Sequence, residues 1–336
     1  MKKLIAIFGV LAFTAGMTFA QNNEATVDQY GNENEAIITQ IGEINEGTVL
    51  QLNNNHQGYI TQEGIDNEAI IDQRFTIHGG LGTITQEGNE NEAFITQTGN
   101  QFEVGSYAEI FQDGDDNYAS QSQNVHGHPG FRIADILQDG DGNTATQSQG
   151  QSGGGGSIWV YAEQYGDDNT AIQNQGGSTG SKYSKIVQDG DDNWARTDQT
   201  GNLGGEEHEV NILQEGDNNW AWIDQGPKGQ DADVSQYGDN NIVASVTNND
   251  GLEFLDGVSA KQRGEPGNDI TIVQNGDIDG IGNRVGFYQK DGAWADIMQT
   301  GQNNEALLWQ TAGGDHATII QNGLDNNAQV SQTAAP

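Results

Sequence analysis

Cysteine and basic residues are what this chain lacks most clearly. It contains no Cys, which excludes disulfides, thiolate zinc sites, iron–sulfur clusters and cysteine nucleophiles. Its 12 Lys and Arg stand against 49 Asp and Glu, giving a formal net charge of −37, and no basic cluster follows residue 3. Because affinity for the nucleic-acid backbone depends on clustered positive charge, we expect no nucleic-acid partner.

Apolar residues are also scarce, at 33% of the 336 residues. Low apolar content combined with high net charge is the compositional signature of a disordered chain. Only 4 Pro are present, however, which is few for a disordered chain of this length. Composition alone therefore excludes an ordinary hydrophobic core without establishing disorder.

Residues 1–20 have the pattern of a secretory signal peptide. Lys2 and Lys3 precede an apolar run over residues 4–13, and the sequence TFA ends the segment at Ala20. The run is too short to span a bilayer core of about 30 Å, and no later stretch is apolar enough to do so. We expect cleavage after Ala20, export, no membrane-spanning segment, and a single mature domain over residues 21–336.

The remainder of the chain repeats one segment. Residues 29–40 read QYGNENEAIITQ, 62–73 read QEGIDNEAIIDQ and 188–199 read QDGDDNWARTDQ, sharing the form Q-x-G-x-x-N-x-A-x-x-x-Q. We place 26 segment ends between Gln29 and Gln332, and only Thr247 among them is not Gln. The spacings from one segment end to the next fall into two alternating series. In the series that starts at Gln40 and later includes Gln262, the spacing is nearly constant. In the other series the spacing varies, because insertions fall there.

Each segment alternates with a period of two residues. In residues 35–40 one face carries Ala36, Ile38 and Gln40, while the other carries polar and charged side chains. Such alternation indicates a β-strand, and the Gly and Asn between strands favour turns. The fold class predicted is all-β: a β-solenoid of about 13 two-stranded rungs, with two stacked, parallel, in-register sheets joined by tight arcs. A propeller blade would need four strands in about 40 residues.

Inward Gln and Asn side chains are the candidate functional residues. An amide carries both donors and acceptors, so identical residues stacked in register can satisfy one another inside a core. The predicted ladder residues are Gln29, Asn34, Gln40, Gln62, Asn67, Gln73, Gln86, Asn91, Gln97, Gln112, Asn117, Gln123, Gln138, Asn143, Gln149, Gln164, Asn169, Gln175, Gln188, Asn193, Gln199, Gln214, Asn219 and Gln225. Outward aromatics at one strand position, Tyr118, Trp194 and Trp220, would stack in the same way.

The uniform arcs concentrate acidic residues, which stacking aligns into a stripe. We favour a solvated acidic edge that keeps rods apart, and the other interpretation is Ca²⁺ bound by carboxylate oxygens. The candidate calcium ligands are Asp113, Asp115, Asp116, Asp139, Asp141, Asp167, Asp168, Asp189, Asp191 and Asp192. No acid pair stands out and the six His share no phase, so we expect neither catalytic residues nor a cofactor.

The tandem motif following a signal peptide resembles the curlin repeat of curli subunits, which are bacterial functional amyloids of the extracellular matrix. The resemblance covers about residues 24–332 and implies a non-enzymatic subunit, exported unfolded through an outer-membrane pore, that folds at the cell surface as it joins a fibre begun by a nucleator subunit. It implies that the Gln and Asn positions form the stacked core. Three departures are the large number of rungs, the short stretch, 21–23, before the first strand, and the long inserted arcs.

The sequence at the two ends of the repeat region indicates how such rods would join. Neither residues 21–23 nor 333–336 form a polar cap, so the end strands should expose unpaired backbone groups to another copy. A head-to-tail contact then gives an open filament. The alternative is a monomeric surface β-solenoid that serves as an adhesin or ice-binding rod, which regular outward Thr rows would favour. Only scattered examples occur, such as Thr39, Thr61 and Thr96.

Overall fold

The computed structural model describes most of the chain after the predicted signal peptide. Residues 1–20, including the expected cleavage site at Ala20, lie outside the described residues. The described ranges are 22–75, 79–101, 106–127, 131–152, 156–177, 180–201, 207–226, 229–248, 252–255, 260–263, 268–276, 282–311 and 314–333.

The described residues form 27 strands, each beginning just after a short turn or an inserted segment. In chain order they are β1 (Glu24–Tyr30), β2 (Glu35–Glu43), β3 (Glu46–Leu52), β4 (Gln57–Ile65), β5 (Glu68–Phe75), β6 (Leu81–Asn89), β7 (Glu92–Gln101), β8 (Ser106–Asp113), β9 (Tyr118–Gly127), β10 (Arg132–Asp139), β11 (Thr144–Ser152), β12 (Ile158–Tyr165), β13 (Thr170–Gly177), β14 (Lys182–Asp189), β15 (Trp194–Gly201), β16 (His208–Glu215), β17 (Trp220–Gln225), β18 (Gln230–Tyr237), β19 (Ile242–Asn248), β20 (Leu252–Leu255), β21 (Ala260–Arg263), β22 (Asn268–Asn275), β23 (Arg284–Lys290), β24 (Trp294–Gln302), β25 (Glu305–Gln310), β26 (His316–Leu324) and β27 (Asn327–Gln332).

Successive strands alternate between two parallel sheets. Sheet A follows the order β1-β3-β5-β7-β9-β11-β13-β15-β17-β19-β23-β25-β27, and sheet B follows β2-β4-β6-β8-β10-β12-β14-β16-β18-β22-β24-β26. Neighbours are in register, so that Gln138 of β10 lies opposite Gln112 of β8 and Gln164 of β12. The predicted β-solenoid with two parallel, in-register sheets is confirmed.

One rung of sheet A is split, which corrects two details of the repeat count. Strand β19 leaves the sheet after Ala244, and its later residues, including Thr247, pair antiparallel with β20. Strand β21 then returns, and Gln262 lies opposite Gln225 and the Gln of β23. Thr247 is therefore not a segment end, and the assignment of Gln262 to the Gln40 series was wrong. The spacing between segment ends gave the wrong assignment because a hairpin, β19 with β20, is inserted within this rung.

Burial alternates along the strands, which places the core between the sheets. In β10, Ala134, Ile136 and Gln138 are buried while the residues between them are partly exposed. Small and aliphatic side chains from both sheets form one continuous apolar cluster along the rod. Polar residues at the strand ends complete the interior, so the low apolar content of the chain is enough for a core this thin.

The arcs from sheet B to sheet A stack closely enough to require glycine. Gly140 has φ +129°, and a Cβ there would lie 2.2 Å from the carbonyl oxygen of Gly166 in the next rung. A residue other than Gly would need both an unfavourable backbone conformation and a shift of the neighbouring arc. These glycines therefore fix the spacing between rungs at this edge.

We predict that Gly140→Ala lowers the free energy of unfolding by about 1–3 kcal/mol because of this strain. Gly150→Ala is the matched control, since a Cβ there meets nothing within 4 Å and a smaller unfolded-state entropy should leave stability unchanged or raised by about 0.4–1 kcal/mol. Urea unfolding followed by circular dichroism measures both. Equal stability of the two variants would contradict the close packing of the arcs.

Candidate functional site

The glutamines of sheet B form an unbroken hydrogen-bonded ladder. Each Nε2 donates to Oε1 of the Gln one rung nearer the C-terminus, at 2.8–3.0 Å. The members are Gln40, Gln62, Gln86, Gln112, Gln138, Gln164, Gln188, Gln214, Gln236, Gln274, Gln299 and Gln321. Every bond points in the same direction, so the ladder has a donor end and an acceptor end.

Sheet A carries a second ladder with the same direction, from Gln29 to Gln332. Its bonds measure 2.7–3.1 Å. Among the described residues this ladder has one gap, between Gln149 and Gln175, where Gln175 Oε1 is buried without a hydrogen bond. Gln51 belongs to this ladder although its segment, QLNNNHQGYITQ, lacks the full motif. Its spacing of 22 residues from both Gln29 and Gln73 was the available signal.

The second amide hydrogen of these glutamines crosses the core. Gln123 of sheet A donates to the carbonyl oxygen of Tyr107 in sheet B at 2.8 Å, and Gln138 of sheet B donates to that of Tyr118 in sheet A at 3.1 Å. Each such hydrogen bond contributes about 0.5–1.5 kcal/mol, whereas an unpaired buried amide costs more than that. The glutamines therefore join both neighbouring rungs and the two sheets.

A third ladder runs through the arcs from sheet B to sheet A. The backbone N–H of each Asn donates to Oδ1 of the Asn one rung earlier, at 2.9–3.2 Å. The members are Asn23, Asn45, Asn67, Asn91, Asn117, Asn143, Asn169, Asn193, Asn219, Asn241, Asn283, Asn304 and Asn326. Several side-chain amides also donate forward, as Asn117 Nδ2 does to the Gly140 carbonyl oxygen at 2.7 Å.

Asn34 lies apart from the other predicted asparagines, in the arc from sheet A to sheet B. Its Oδ1 accepts the His56 backbone N–H at 3.0 Å, and His56 Nδ1 in turn accepts the Gly80 N–H at 3.1 Å. Burial is the main reason that the pKa of His56 is lowered. The structure therefore brings the predicted Gln residues together in two columns and places Asn34 outside the column of the other Asn residues.

A further polar column replaces aliphatic residues in the middle of the core. Gln121 donates to Gln147 at 3.1 Å, Gln147 donates to Gln173 at 2.9 Å, and Gln173 reaches the Ser184 hydroxyl at 2.9 Å. Ser184 and Thr197 hydroxyls are 2.7 Å apart. Sequence reasoning did not select these residues, because they occupy the position held by Ile elsewhere.

The aspartates of the arcs bind backbone groups of neighbouring arcs. Asp141 Oδ1 accepts the N–H of Asp115 at 2.8 Å, and Asp167 Oδ1 accepts that of Asp141 at 2.9 Å. The same bond recurs at Asp191, Asp217 and Asp239. The described residues contain no group of three or more His, Cys, Asp or Glu with metal-binding geometry. Of the remaining calcium candidates, Asp116, Asp168 and Asp192 adopt positive φ. Asp113, Asp139 and Asp189 are the exposed last residues of strands β8, β10 and β14. Calcium binding stays a prediction.

Aromatic side chains stack on the outer face of sheet A. Trp194 and Trp220 lie 4.9 Å apart between ring centroids and are nearly parallel, as the shared strand position predicts. Trp222 meets both edge-on, and the Arg196 guanidinium lies 4.6 Å from its ring. Tyr118 is three rungs away from Trp194 and instead contacts Phe94.

A row of acids crosses the outer face of sheet B. Asp135 lies beside Glu109 on the adjacent strand. Burial, with further contributions from Glu109 and Glu163, raises the pKa of Asp135 to about 6 from an ordinary value of 3.8. Because the raised pKa belongs to the folded state, the protonated carboxyl stabilises the fold below about pH 4, and this contribution is lost as the pH rises through 6.

We therefore predict that Asp135→Asn raises the free energy of unfolding at pH 7 and leaves it nearly unchanged at pH 4. Asp113→Asn removes the same charge from an exposed position and is the control. Urea titrations at the two pH values measure the difference. A similar pH dependence of the two variants would contradict the effect of burial at Asp135.

The Gln138 position tests the ladder directly, because Gln138→Glu keeps the shape and removes the donor. At neutral pH the buried carboxylate would face Gln164 Oε1 and the Tyr118 carbonyl oxygen, which it cannot satisfy. We predict a loss of about 3–5 kcal/mol in the free energy of unfolding at pH 7. Since burial raises the pKa of this Glu above its unfolded value of about 4.3, most of the loss should vanish below pH 4.

The matched control is Gln57→Glu, which makes the same chemical change on an exposed position. Urea unfolding at pH 4 and pH 7 compares the two variants. A Gln138→Glu variant as stable as Gln57→Glu at pH 7 would show that the ladder bond contributes nothing.

Both ends of the rod expose strands whose inward side chains lack a further rung. The outermost described strands are β1 and β2 at one end and β26 and β27 at the other. Val27, an inward residue of β1, is 45% exposed, whereas its counterpart Val49 one rung further is fully buried. These four strands carry both backbone groups and ladder amides without a neighbour on one side.

The repeat has a counterpart among known families. A family model for the curlin associated repeat matches residues 20–42, 81–102 and 205–243. These matches fall on β1 and β2, on β6 and β7, and on β16 to β19. No curated protein matches the chain. Within the described ranges, no helix has the length and apolarity needed to cross a membrane.

Proposed function

This chain carries curlin associated repeats, and on that premise we propose that it is a secreted structural subunit that assembles end to end into extracellular, curli-like amyloid fibres. The observation that carries the proposal is the pair of open rod ends. Apart from the gap at Gln149 and Gln175, the ladder glutamines of interior rungs pair with the rungs on either side. The end rungs have a neighbouring rung on one side only and gain a second by meeting another copy. Adhesion and a biofilm matrix are the roles that such fibres would serve.

The proposed fibre core consists of the Gln and Asn ladders. Gln29 and Gln40 accept no ladder bond from a preceding rung among the described residues, and Gln321 and Gln332 lie at the donor ends. A second copy would supply the missing partners through the same bonds that join interior rungs. We propose no catalytic residue and no cofactor, because the polar side chains that repeat from rung to rung are engaged in hydrogen bonds within the chain.

The composition supports export before assembly. Since only 33% of the residues are apolar, an isolated chain with a net charge of −37 has little apolar surface to drive collapse. Such a chain would stay unfolded until it meets a template. We propose that the signal peptide, cleaved after Ala20, directs residues 21–336 to the periplasm, and that a curli-type outer-membrane pore and a nucleator subunit complete the route.

Assembly is tested by refolding the mature chain from denaturant. We predict filaments that bind thioflavin T, resist denaturant and give a meridional reflection near about 4.8 Å. A stable monomer at high concentration would contradict fibre formation and favour the single surface rod.

A charge placed on the inward face of the first described rung should stop growth. In Val27→Lys with Gln29→Lys, both side chains are tolerated at a free end and become buried and unpaired when another copy docks. We predict that filament elongation from wild-type seeds falls at least tenfold. The control is Thr26→Lys with Asp28→Lys, which adds two Lys to the exposed face of the same strand and should elongate at close to the wild-type rate.

A further inference from the structure

We propose that consecutive subunits in the fibre are related by a half-turn about the fibre axis, so that sheet A of one copy continues sheet B of the copy before it. This inference rests on the proposed end-to-end assembly and specifies the surface through which a second copy of this chain docks. The number of strands in each sheet carries the inference, and the polarity of the ladders and the residues at the two ends are compatible with it.

The two sheets differ by one strand. Along their main paths sheet A has 13 described strands and sheet B has 12, and the outermost strand at each end, β1 or β27, belongs to sheet A. If the next copy kept the same orientation, β1 would stack on β27, and β2 would lie two strand spacings from β26. Each junction would then leave a vacancy one strand wide, about 4.8 Å, in sheet B.

A half-turn removes this vacancy. The axis lies between the two sheets, so rotation exchanges their positions and keeps all strands parallel to those beneath them. In this arrangement β1 of the incoming copy stacks on β26, and β2 stacks on β27. The alternation of sheets along the chain then continues across the junction without interruption.

The side chains at the junction match in this arrangement. The inward residues of β26 are Ala317, Ile319 and Gln321, and those of β1 are Ala25, Val27 and Gln29. The inward residues of β27 are Ala328, Val330 and Gln332, and those of β2 are Ala36, Ile38 and Gln40. In both pairs a small residue meets a small one, an aliphatic residue meets an aliphatic one and Gln meets Gln.

The direction of the ladder bonds suits the same contact. Gln321 and Gln332 stand at the donor ends, while Gln29 and Gln40 stand at the acceptor ends. Head-to-tail stacking with a half-turn therefore places Gln321 Nε2 against Gln29 Oε1 and Gln332 Nε2 against Gln40 Oε1 of the next copy. Both ladders continue with donor and acceptor in the sense used throughout the rod.

The arcs explain the unusual position of Asn34. After a half-turn, the first arc of the incoming copy, from sheet A to sheet B, stacks on the Asn column of the copy before it. Asn326 is the last member of that column, and Asn34 ends a segment of the same G-x-x-N form, GNEN against GLDN. Asn34 N–H would donate to Asn326 Oδ1 as each Asn of the column does to its predecessor.

Engineered cysteines distinguish the two orientations, since the chain has none of its own. With the glutamines in register, a half-turn pairs Thr26 with Thr318 of the preceding copy, whereas an unrotated junction pairs Thr26 with Gln329. All three side chains are exposed, and neighbouring strands hold Cα atoms within disulfide range. Fibres of T26C/T318C and of T26C/Q329C would be oxidised, dissolved and compared by non-reducing electrophoresis, with the single-cysteine variants as controls.

We expect covalent multimers from T26C/T318C fibres and monomers from T26C/Q329C fibres. Multimers from T26C/Q329C fibres, or the absence of multimers from both variants, would overturn the half-turn while leaving fibre formation intact. If a double variant forms no fibres although the wild type does, its two single-cysteine variants are mixed and assembled together with excess wild type. The cross-link is then read as a covalent dimer of the two single-cysteine variants. Failure of the wild type to form fibres would instead overturn the proposed function and this inference with it.

A truncation after Leu324 provides a second readout, because removal of β27 leaves both sheets with 12 strands. Unrotated stacking then closes without a vacancy, so T26C/T318C should lose its cross-link in this background while fibres persist. A cross-link that persists would contradict the strand-count argument.

In the full chain, successive copies each about 60 Å long place the β19–β20 hairpin on alternate sides of the fibre, which gives a repeat of about 120 Å in electron micrographs.

Discussion

The in-register stacking of identical amides at the strand spacing is the interaction on which the whole structure depends. A strand spacing of about 4.8 Å brings each Gln within hydrogen-bonding distance of its equivalents above and below, as in the 2.9 Å bond from Gln112 to Gln138. A single buried amide of this kind would destabilise the fold. In a column the amides satisfy one another, and this lets a chain with few apolar residues form a packed interior. The same property makes each rung incomplete without a neighbour, which is why the ends of the rod are the candidate functional surface.

The fold was accessible from the sequence because one short motif repeats many times. The period of two in residues 35–40 gives the strands, and the recurring G-x-x-N gives the arcs. Inward placement followed from Gln40 lying on the same face as Ala36 and Ile38. The register between neighbouring strands follows from the same pattern, because a slip by one residue would move every Gln of a strand to the outer face.

Other features depend on contacts that a linear motif does not contain. The split rung at β19 and β21 keeps Gln262 in sheet A. Without the pairing, the spacing from Gln225 to Gln262 resembles one and a half rungs, which would place Gln262 in sheet B. Asn34 shares the motif of Asn67 and still occupies the opposite edge, because the motif marks an arc without marking which sheet precedes it. The polar column at Gln121 and Gln147 replaces Ile at equivalent positions, and only the hydrogen bonds between them show that the interior tolerates the exchange. The gap at Gln149 and Gln175 is a departure for which no sequence feature gives a reason.

Because the two edges of the rod differ, the length of the chain does not determine the length of the rod. At the edge formed by arcs from sheet B to sheet A, glycines such as Gly140 contact the next arc and hold every rung to one rise. The opposite edge accepts additional residues: 24 residues separate Gln164 from Gln188 and 26 separate Gln188 from Gln214, yet the hydrogen bonds measure 2.9 and 2.8 Å. Sequence can therefore be added at the second edge without altering the axial repeat. The edge with the close glycine contacts sets the axial spacing of the rungs. The opposite edge can carry inserted segments at intervals equal to that spacing.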